Sequence, residues 1–273
     1  MSSVSTFAAR SSGAIAGAFL AAAIAALAPA PAIGQGLYLH AIPTEAVDVG
    51  PDARADLRLR AFVARPDELA AWIPGARTLD DHSAEIALGS YPELDPQVAD
   101  RHRRASFVID YDEPEVRALA RELVGRHGAT PSAETLRRFT GEAIPTKSMD
   151  RGWDPASRVA RSGAGDCTEH AVLLTALARA VGVPARVVTG IVVVEAAGGA
   201  RGFGHAWSEI HHGGRWVPVD ATPIGDAGET IALVPLALLD DEGPGYAVGL
   251  ARQIQRRWVR RLEIHTAASP ASP

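Results

Sequence analysis

Residues 163–170 read Gly-Ala-Gly-Asp-Cys-Thr-Glu-His and contain Cys167, the only cysteine of the 273-residue chain. An apolar-periodic run follows this glycine-rich loop and predicts a helix from about Cys167 to Val181. Gly182 and Pro184 end that helix. A thiol at a helix N-terminus meets the positive end of the helix dipole, which favours the thiolate. A lone cysteine is either inert and buried or a working thiol, and these surroundings indicate the second.

A β-hairpin is predicted downstream of the cysteine helix. A β-branched run, Arg186–Val194, reads as a buried strand, and a glycine-rich connection leads from it to a second strand, His205–His212. Gly213-Gly214 is a two-residue turn signal, and Arg215–Thr222 is the return strand. The turn fixes the register, in which His205 opposes Thr222.

That register places a histidine and an aspartate side by side. His205 and Asp220 become diagonal neighbours on one face, roughly 7–8 Å apart, which an imidazole and a carboxylate can span. A slip of one residue would put them on opposite faces. Glu209 is four residues beyond His205, about 13 Å along a strand, and is too far away to orient the ring.

Cys167, His205 and Asp220 are the residue types of a nucleophile, its base and the group that orients the base. His205 would take the thiol proton, and Asp220 would fix the ring tautomer and stabilise its charge. The backbone N–H of Cys167 is the expected first oxyanion donor. Trp153 is a candidate for the second donor, with a packing role as the alternative. His170 is expected to be structural.

Four linked segments of the chain resemble the bacterial transglutaminase-like core, over about residues 150–225. They are Gly165-Asp166-Cys167-Thr168-Glu169-His170-Ala171, Ala178-Arg179-Ala180-Val181-Gly182-Val183-Pro184-Ala185-Arg186-Val187-Val188-Thr189-Gly190, His205-Ala206-Trp207-Ser208-Glu209 and Trp216-Val217-Pro218-Val219-Asp220-Ala221-Thr222. The resemblance implies an α+β, papain-like thiol fold, with helices first and the cysteine helix packed on an antiparallel sheet. It also implies the same three roles for Cys167, His205 and Asp220. Ala221 departs from the family, which usually has proline there.

Four regions are predicted along the chain. Residues 1–32 are a signal peptide, 33–110 a small, mostly β lead-in, 111–240 the transglutaminase-like catalytic core and 241–273 a C-terminal tail. The signal is indicated by Arg10, the apolar run Ala14–Ala28 and the small residues Ala30-Pro31-Ala32. The protein is therefore expected to be exported, to the periplasm or beyond, without stable membrane insertion after cleavage. An uncleaved N-terminal anchor is the alternative.

The composition and charge limit the classes of partner that the protein is expected to bind. The formal net charge is −5 and no basic block is present, so no nucleic-acid partner is expected. No carboxylate cluster has EF-hand spacing, and neither a metal requirement nor a cofactor is predicted. A protein or peptide substrate is expected, with an amine as a possible acyl acceptor. Three functions stay open: acyl transfer to an amine, hydrolysis as a peptidase or amidase, and a non-catalytic binding domain on the same fold.

Overall fold

The chain folds into two five-stranded β-sheets, one two-stranded β-sheet and six α-helices within the residues described by the structure, a computed structural model. Those residues are 41–46, 57–150, 152–196, 199–223 and 229–266. All of them fall in one compact unit, Ile33–Pro273. The predicted signal peptide, residues 1–32, lies outside the described residues. Among the helices of the described ranges, none has the length and apolar character needed to span a bilayer.

The helices and strands alternate irregularly along the chain. The helices are α1 (Pro66–Trp72), α2 (Pro114–His127), α3 (Ala133–Ala143), α4 (Ala156–Ser162), α5 (Cys167–Ala180) and α6 (Tyr246–Arg256). The strands are β1 (Ala41–Ile42), β2 (Thr44–Ala46), β3 (Leu57–Val63), β4 (Arg77–Asp80), β5 (Ser83–Ala87), β6 (Thr146–Lys147), β7 (Ala164–Gly165), β8 (Ala185–Ala196), β9 (Gly199–His212), β10 (Arg215–Val219), β11 (Thr230–Leu238) and β12 (Val259–Thr266). Helices on an antiparallel sheet confirm the predicted α+β class.

The first sheet has the strand order β1-β9-β8-β11, with β10 also paired to β9. The β9–β10 hairpin has the predicted register, from Arg215 opposite His212 to Val219 opposite Ser208. Gly213 and Gly214 both have positive φ, at 59° and 82°, which is the backbone that a tight two-residue hairpin turn requires. The glycine-rich connection expected before His205 instead extends β9 back to Gly199, where it pairs with the end of β8.

Helix α5 lies at the centre of the first apolar core. Every residue from Cys167 to Arg179 is buried, because one face of the helix packs on the first sheet and the others are covered by α2, α3 and α4. A helix that is apolar on all sides is expected only in such a position. Cys167 therefore lies at the N-terminus of a buried helix.

The second sheet has the order β2-β12-β3-β5-β4 and packs against the first through an apolar layer. Its strand β12 comes from the region predicted as a C-terminal tail, and it lies between β2 and β3. Two arginines of this region lie over aromatic rings, Arg257 over Trp72 and Arg261 over Phe62. The segment Phe107–Ile109 is not part of a strand. Its Val108 N–H donates to the Glu242 carbonyl instead.

A buried ion pair joins the end of α5 to the segment before α6. The Arg179 guanidinium donates to both carboxylate oxygens of Glu242, at 2.8 and 2.6 Å. The exposed fractions of the two side chains are 0% and 7%. An ion pair so enclosed costs little while both partners are present, but each partner depends on the other.

Glu242→Ala is therefore expected to lower the free energy of unfolding by about 3–5 kcal/mol, because it leaves the Arg179 charge buried and unpaired. Urea unfolding followed by circular dichroism would measure the change. Glu122→Ala is the matched control, since the Glu122–Arg126 pair is solvent-exposed and should be worth less than about 1 kcal/mol. Equal losses in the two variants would contradict this role of the buried pair.

Candidate active site

Cys167 is the first residue of α5, and its side chain is largely buried, with 8% of the residue exposed. Asp166 is the N-cap, and its Oδ1 accepts hydrogen bonds from the Thr168 N–H and hydroxyl, both at 2.8 Å. This cap satisfies one first-turn amide, and the amides of the first turn have no acceptor within the helix. The thiol therefore lies at the positive end of the helix dipole, as predicted from the sequence.

His205 and Asp220 are hydrogen-bonded to each other. Nε2 of His205 lies 2.6 Å from Oδ2 of Asp220. Asp220 directly follows β10, the strand that pairs with β9. The register of this hairpin therefore accounts for the contact between Asp220 and His205. The other carboxylate oxygen, Oδ1, accepts the Thr222 N–H at 2.9 Å. The carboxylate is thus fixed on one side and points at the imidazole on the other.

The Cys167 thiol lies beside the same ring, and it is one of the groups that raise the pKa of His205. Because Nε2 of the ring faces Asp220, Nδ1 is the nitrogen left for the sulfur. The structure therefore brings together all three residues that the sequence singled out. Their order of contact, cysteine to histidine to aspartate, is that of a nucleophile, a base and an orienting carboxylate.

Electrostatics favour the charged form of the His205–Asp220 pair. Burial alone lowers the pKa of His205, but the hydrogen bond that the ring donates to Asp220 and the neighbouring Cys167 side chain outweigh it and raise the pKa from 6.5 to about 10. Burial raises the pKa of Asp220, and the hydrogen bond from His205 more than offsets this, so that its pKa lies below 3.8. The histidine contributes stability that is lost as the pH rises through about 10. The aspartate contribution is lost as the pH falls below 3.8.

A layer of aromatic and charged side chains supports the histidine. The His205 ring stacks on Trp207, with ring centroids 6.2 Å apart. Trp207 Nε1 donates to the Tyr91 hydroxyl at 3.0 Å, and that hydroxyl donates to Glu209 at 2.5 Å. Glu209 is also paired with the buried Arg186. Glu209 is thus connected to the His205 ring by way of Tyr91 and Trp207. This agrees with the prediction that it lies too far along the strand to orient the ring itself. Sequence reasoning missed Tyr91, which lies in a proline-rich loop.

Trp153 and His170, the other residues considered for the site, lie near the N-terminus of α5. The Trp153 N–H points to the Thr168 hydroxyl at 3.4 Å, and only 6% of the residue is exposed. His170 is buried, and its Nδ1 bonds the Asp166 carbonyl at 2.7 Å. Burial lowers the pKa of His170, so the neutral ring donates from Nδ1. Among the described residues no group of three or more His, Cys, Asp or Glu side chains could hold a metal ion.

The sequence comparisons identify one family. Residues 117–221 match the family model described as the transglutaminase-like superfamily. This match contains all three residues of the candidate site. It begins within α2 and ends immediately after Asp220, and so leaves out the second sheet and α6. No curated protein sequence matches the chain.

Solved structures with some similarity come from bacteria. The periplasmic domain of TgpA from Pseudomonas aeruginosa is 20% identical, with 71% of this chain and 84% of that chain covered and a TM-score of 0.39. A protein from Cytophaga hutchinsonii, provisionally assigned as a cysteine protease, is 18% identical, with a TM-score of 0.38. The alignment covers 63% of this chain but only 57% of that one. The fold assignment rests on the family model and on the elements described above.

Proposed function

Residues 117–221 form a transglutaminase-like core, and from this premise we propose that the protein is a thiol enzyme that forms an acyl-enzyme on Cys167. The substrate is a carboxamide or peptide bond of a protein or peptide, and the acyl group passes to an amine or to water. The observation that supports this most directly is the ring of His205, which is hydrogen-bonded to Asp220 and has the Cys167 thiol as a neighbour that raises its pKa.

The chemistry follows from those contacts. The Cys167 thiolate attacks the carbonyl carbon, and the carbonyl oxygen takes up negative charge. The backbone N–H of Cys167 stabilises that charge. The proposed second donor is the indole N–H of Trp153, because its backbone N–H points to the Thr168 hydroxyl. His205 then gives its proton to the leaving nitrogen, so that ammonia or an amine departs and a thioester remains. In the second half, His205 removes a proton from the incoming amine or water as it attacks the thioester.

Transfer and hydrolysis share the first half of this reaction and differ only in the second nucleophile. A hydrolase of this kind would be a cysteine peptidase or amidase. A binding domain on the same fold would have no need of a cysteine beside a hydrogen-bonded histidine and aspartate. The contacts of His205 therefore favour an enzyme over a binding domain.

We also propose that the protein is exported, on the basis of the signal-like residues 1–32. In an oxidising compartment Cys167 has no second cysteine in the chain with which to form an internal disulfide. A periplasmic fraction should contain the protein without its first residues, as measured by intact mass. A full-length N-terminus would contradict cleavage and favour an anchor.

An amine-incorporation assay tests the proposed reaction. The protein is incubated with a glutamine-containing protein and a labelled primary amine, and both ammonia release and label incorporation are followed. Ammonia release that depends on Cys167 is expected, with the label appearing in the substrate if the acyl group passes to amines. Release or chain cleavage without label would remove the transfer reaction and leave hydrolysis. The absence of any Cys167-dependent product across a panel of peptides and amides would contradict the enzyme.

A further inference from the structure

Trp153 has a backbone conformation that bulky residues avoid. Its φ is +61°, and it is the one non-glycine residue with a positive φ in the described part of the chain. Such a conformation costs about 1–3 kcal/mol and persists only where the surrounding structure imposes it. Residues held in this way are found most often beside reacting groups. The contacts of Trp153 show what imposes the conformation here.

Hydrogen bonds from two separate helices hold this strained backbone. On α5, the Thr168 hydroxyl accepts the Trp153 N–H at 3.4 Å, and the Glu169 carboxylate accepts the next N–H, that of Asp154, at 3.1 Å. On α6, the Tyr246 hydroxyl donates to the Trp153 carbonyl. The backbone around Trp153 is therefore fixed from both sides.

Glu169 connects that backbone to the residues on either side of the thiol. Its Oε2 accepts the Asp166 N–H at 3.0 Å and lies equally close to the Thr168 hydroxyl oxygen. The carboxyl is fully buried, and burial raises the pKa of Glu169. The backbone of Gly165 lies against the Glu169 side chain. A Cβ atom at position 165 would lie 2.2 Å from the Glu169 Cβ. The carboxylate thus couples the strained segment to both chain neighbours of Cys167.

Tyr246 lies outside the segment that matches the family model. It is buried in the same core cluster as Trp153 and Cys167. Its hydroxyl does not contact the thiol directly. It contacts Trp153, whose backbone is linked to Thr168 and Glu169 in the first turn of α5. The C-terminal region therefore contributes to the geometry of the candidate site although it contains none of its three central residues.

We propose that Tyr246 is a positioning residue for the thiol site, which fixes the backbone of Trp153 and, through it, the orientation of the Cys167 amide. This rests on the proposed function, in which that amide stabilises the oxyanion. The orientation of the Cys167 amide matters only when the thiol attacks a carbonyl carbon, because only that reaction forms an oxyanion. Alkylation of the thiol by iodoacetamide develops no oxyanion, so it needs the Cys167–His205 pair but not the oriented amide.

Tyr246→Phe tests the proposal, with Tyr111→Phe as the matched control. The Tyr111 hydroxyl also donates to a backbone carbonyl, that of Arg103, at 3.0 Å, and Tyr111 packs on the same core cluster. In the Tyr246 variant we expect kcat for the acyl transfer or hydrolysis to fall by roughly ten- to a hundredfold, as for a small misplacement of a reacting group. KM and the iodoacetamide labelling rate should stay within about twofold of the unmodified protein, whereas the control should keep all three values.

Hydrogen exchange gives a second readout that does not depend on turnover. The amides of Trp153 and Asp154 should exchange faster in Tyr246→Phe than in Tyr111→Phe, because only the first variant releases the strained backbone. Equal exchange in the two variants would overturn the positioning role, whatever the activity. Equal kcat values in two active variants would overturn it as well. If the unmodified protein turns over no substrate, the proposed function fails, and the exchange experiment still decides whether Tyr246 holds Trp153.

Discussion

Replacing Cys167 with alanine is expected to remove acyl transfer and hydrolysis together, with a loss of kcat on the order of 10⁴–10⁶. Both reactions pass through the same thioester, and the chain has no other cysteine that could form it. Alanine suits the first position of a helix, and the Asp166 cap is untouched, so the fold should persist. Rates of ammonia release and the mass of the trapped acyl-enzyme would measure the effect.

Thr175→Ser is a suitable control for general damage to α5. It keeps the hydroxyl that bonds Ser208 at 2.9 Å and lies two turns further along the buried helix. This variant should retain most of the activity. Product formation by Cys167→Ala at more than a tenth of the original rate would show that another residue is the nucleophile.

Replacing Asp220 with asparagine is expected to lower kcat by on the order of 10³–10⁴-fold at neutral pH. The carboxylate hydrogen bond is the main favourable contribution to the charged ring of His205, and it helps to hold the pKa of that ring at about 10. An uncharged amide removes that contribution, so the pKa of His205 should fall. The thiolate–imidazolium pair would then form less readily, and activity should recover only in part as the pH rises.

Asp241→Asn is the matched control for this change. Asp241 caps its own turn through a bond from the Gly243 N–H at 3.1 Å, just as Asp220 accepts the Thr222 N–H, but it is exposed and pairs with no histidine. Its substitution should leave kcat and its pH profile unchanged. Equal losses in the two variants would mean that Asp220 acts through its turn and not through His205.

The sequence predicted the parts of the site that depend on local rules. Gly213-Gly214 fixed the hairpin register, and that register placed His205 beside Asp220. The run after Cys167 predicted α5 almost to its last residue. In each case the deciding residues lie within one element or one turn, where helix periodicity and hairpin geometry apply directly.

The contacts between distant segments could not be predicted in this way. Tyr91 lies 116 positions before Trp207, and Tyr246 lies 93 positions after Trp153. No periodicity connects residues so far apart. Strand β12 pairs in parallel with β2 and antiparallel with β3, and its own pattern gives no indication of either partner. The left-handed backbone of Trp153 is set by tertiary contacts that oppose its local preference.

Thiol alkylation of native and unfolded protein tests the central claim, that His205 and Asp220 activate the thiol of Cys167. Native protein and urea-unfolded protein are treated with iodoacetamide between pH 5 and 9, and the labelling rate of Cys167 is measured by mass spectrometry. An unfolded thiol titrates near pH 8.5, so its rate should fall about tenfold for each pH unit below that value. The native rate should exceed the unfolded rate at least tenfold near pH 6. A native rate at pH 6 no higher than the unfolded one would contradict the account.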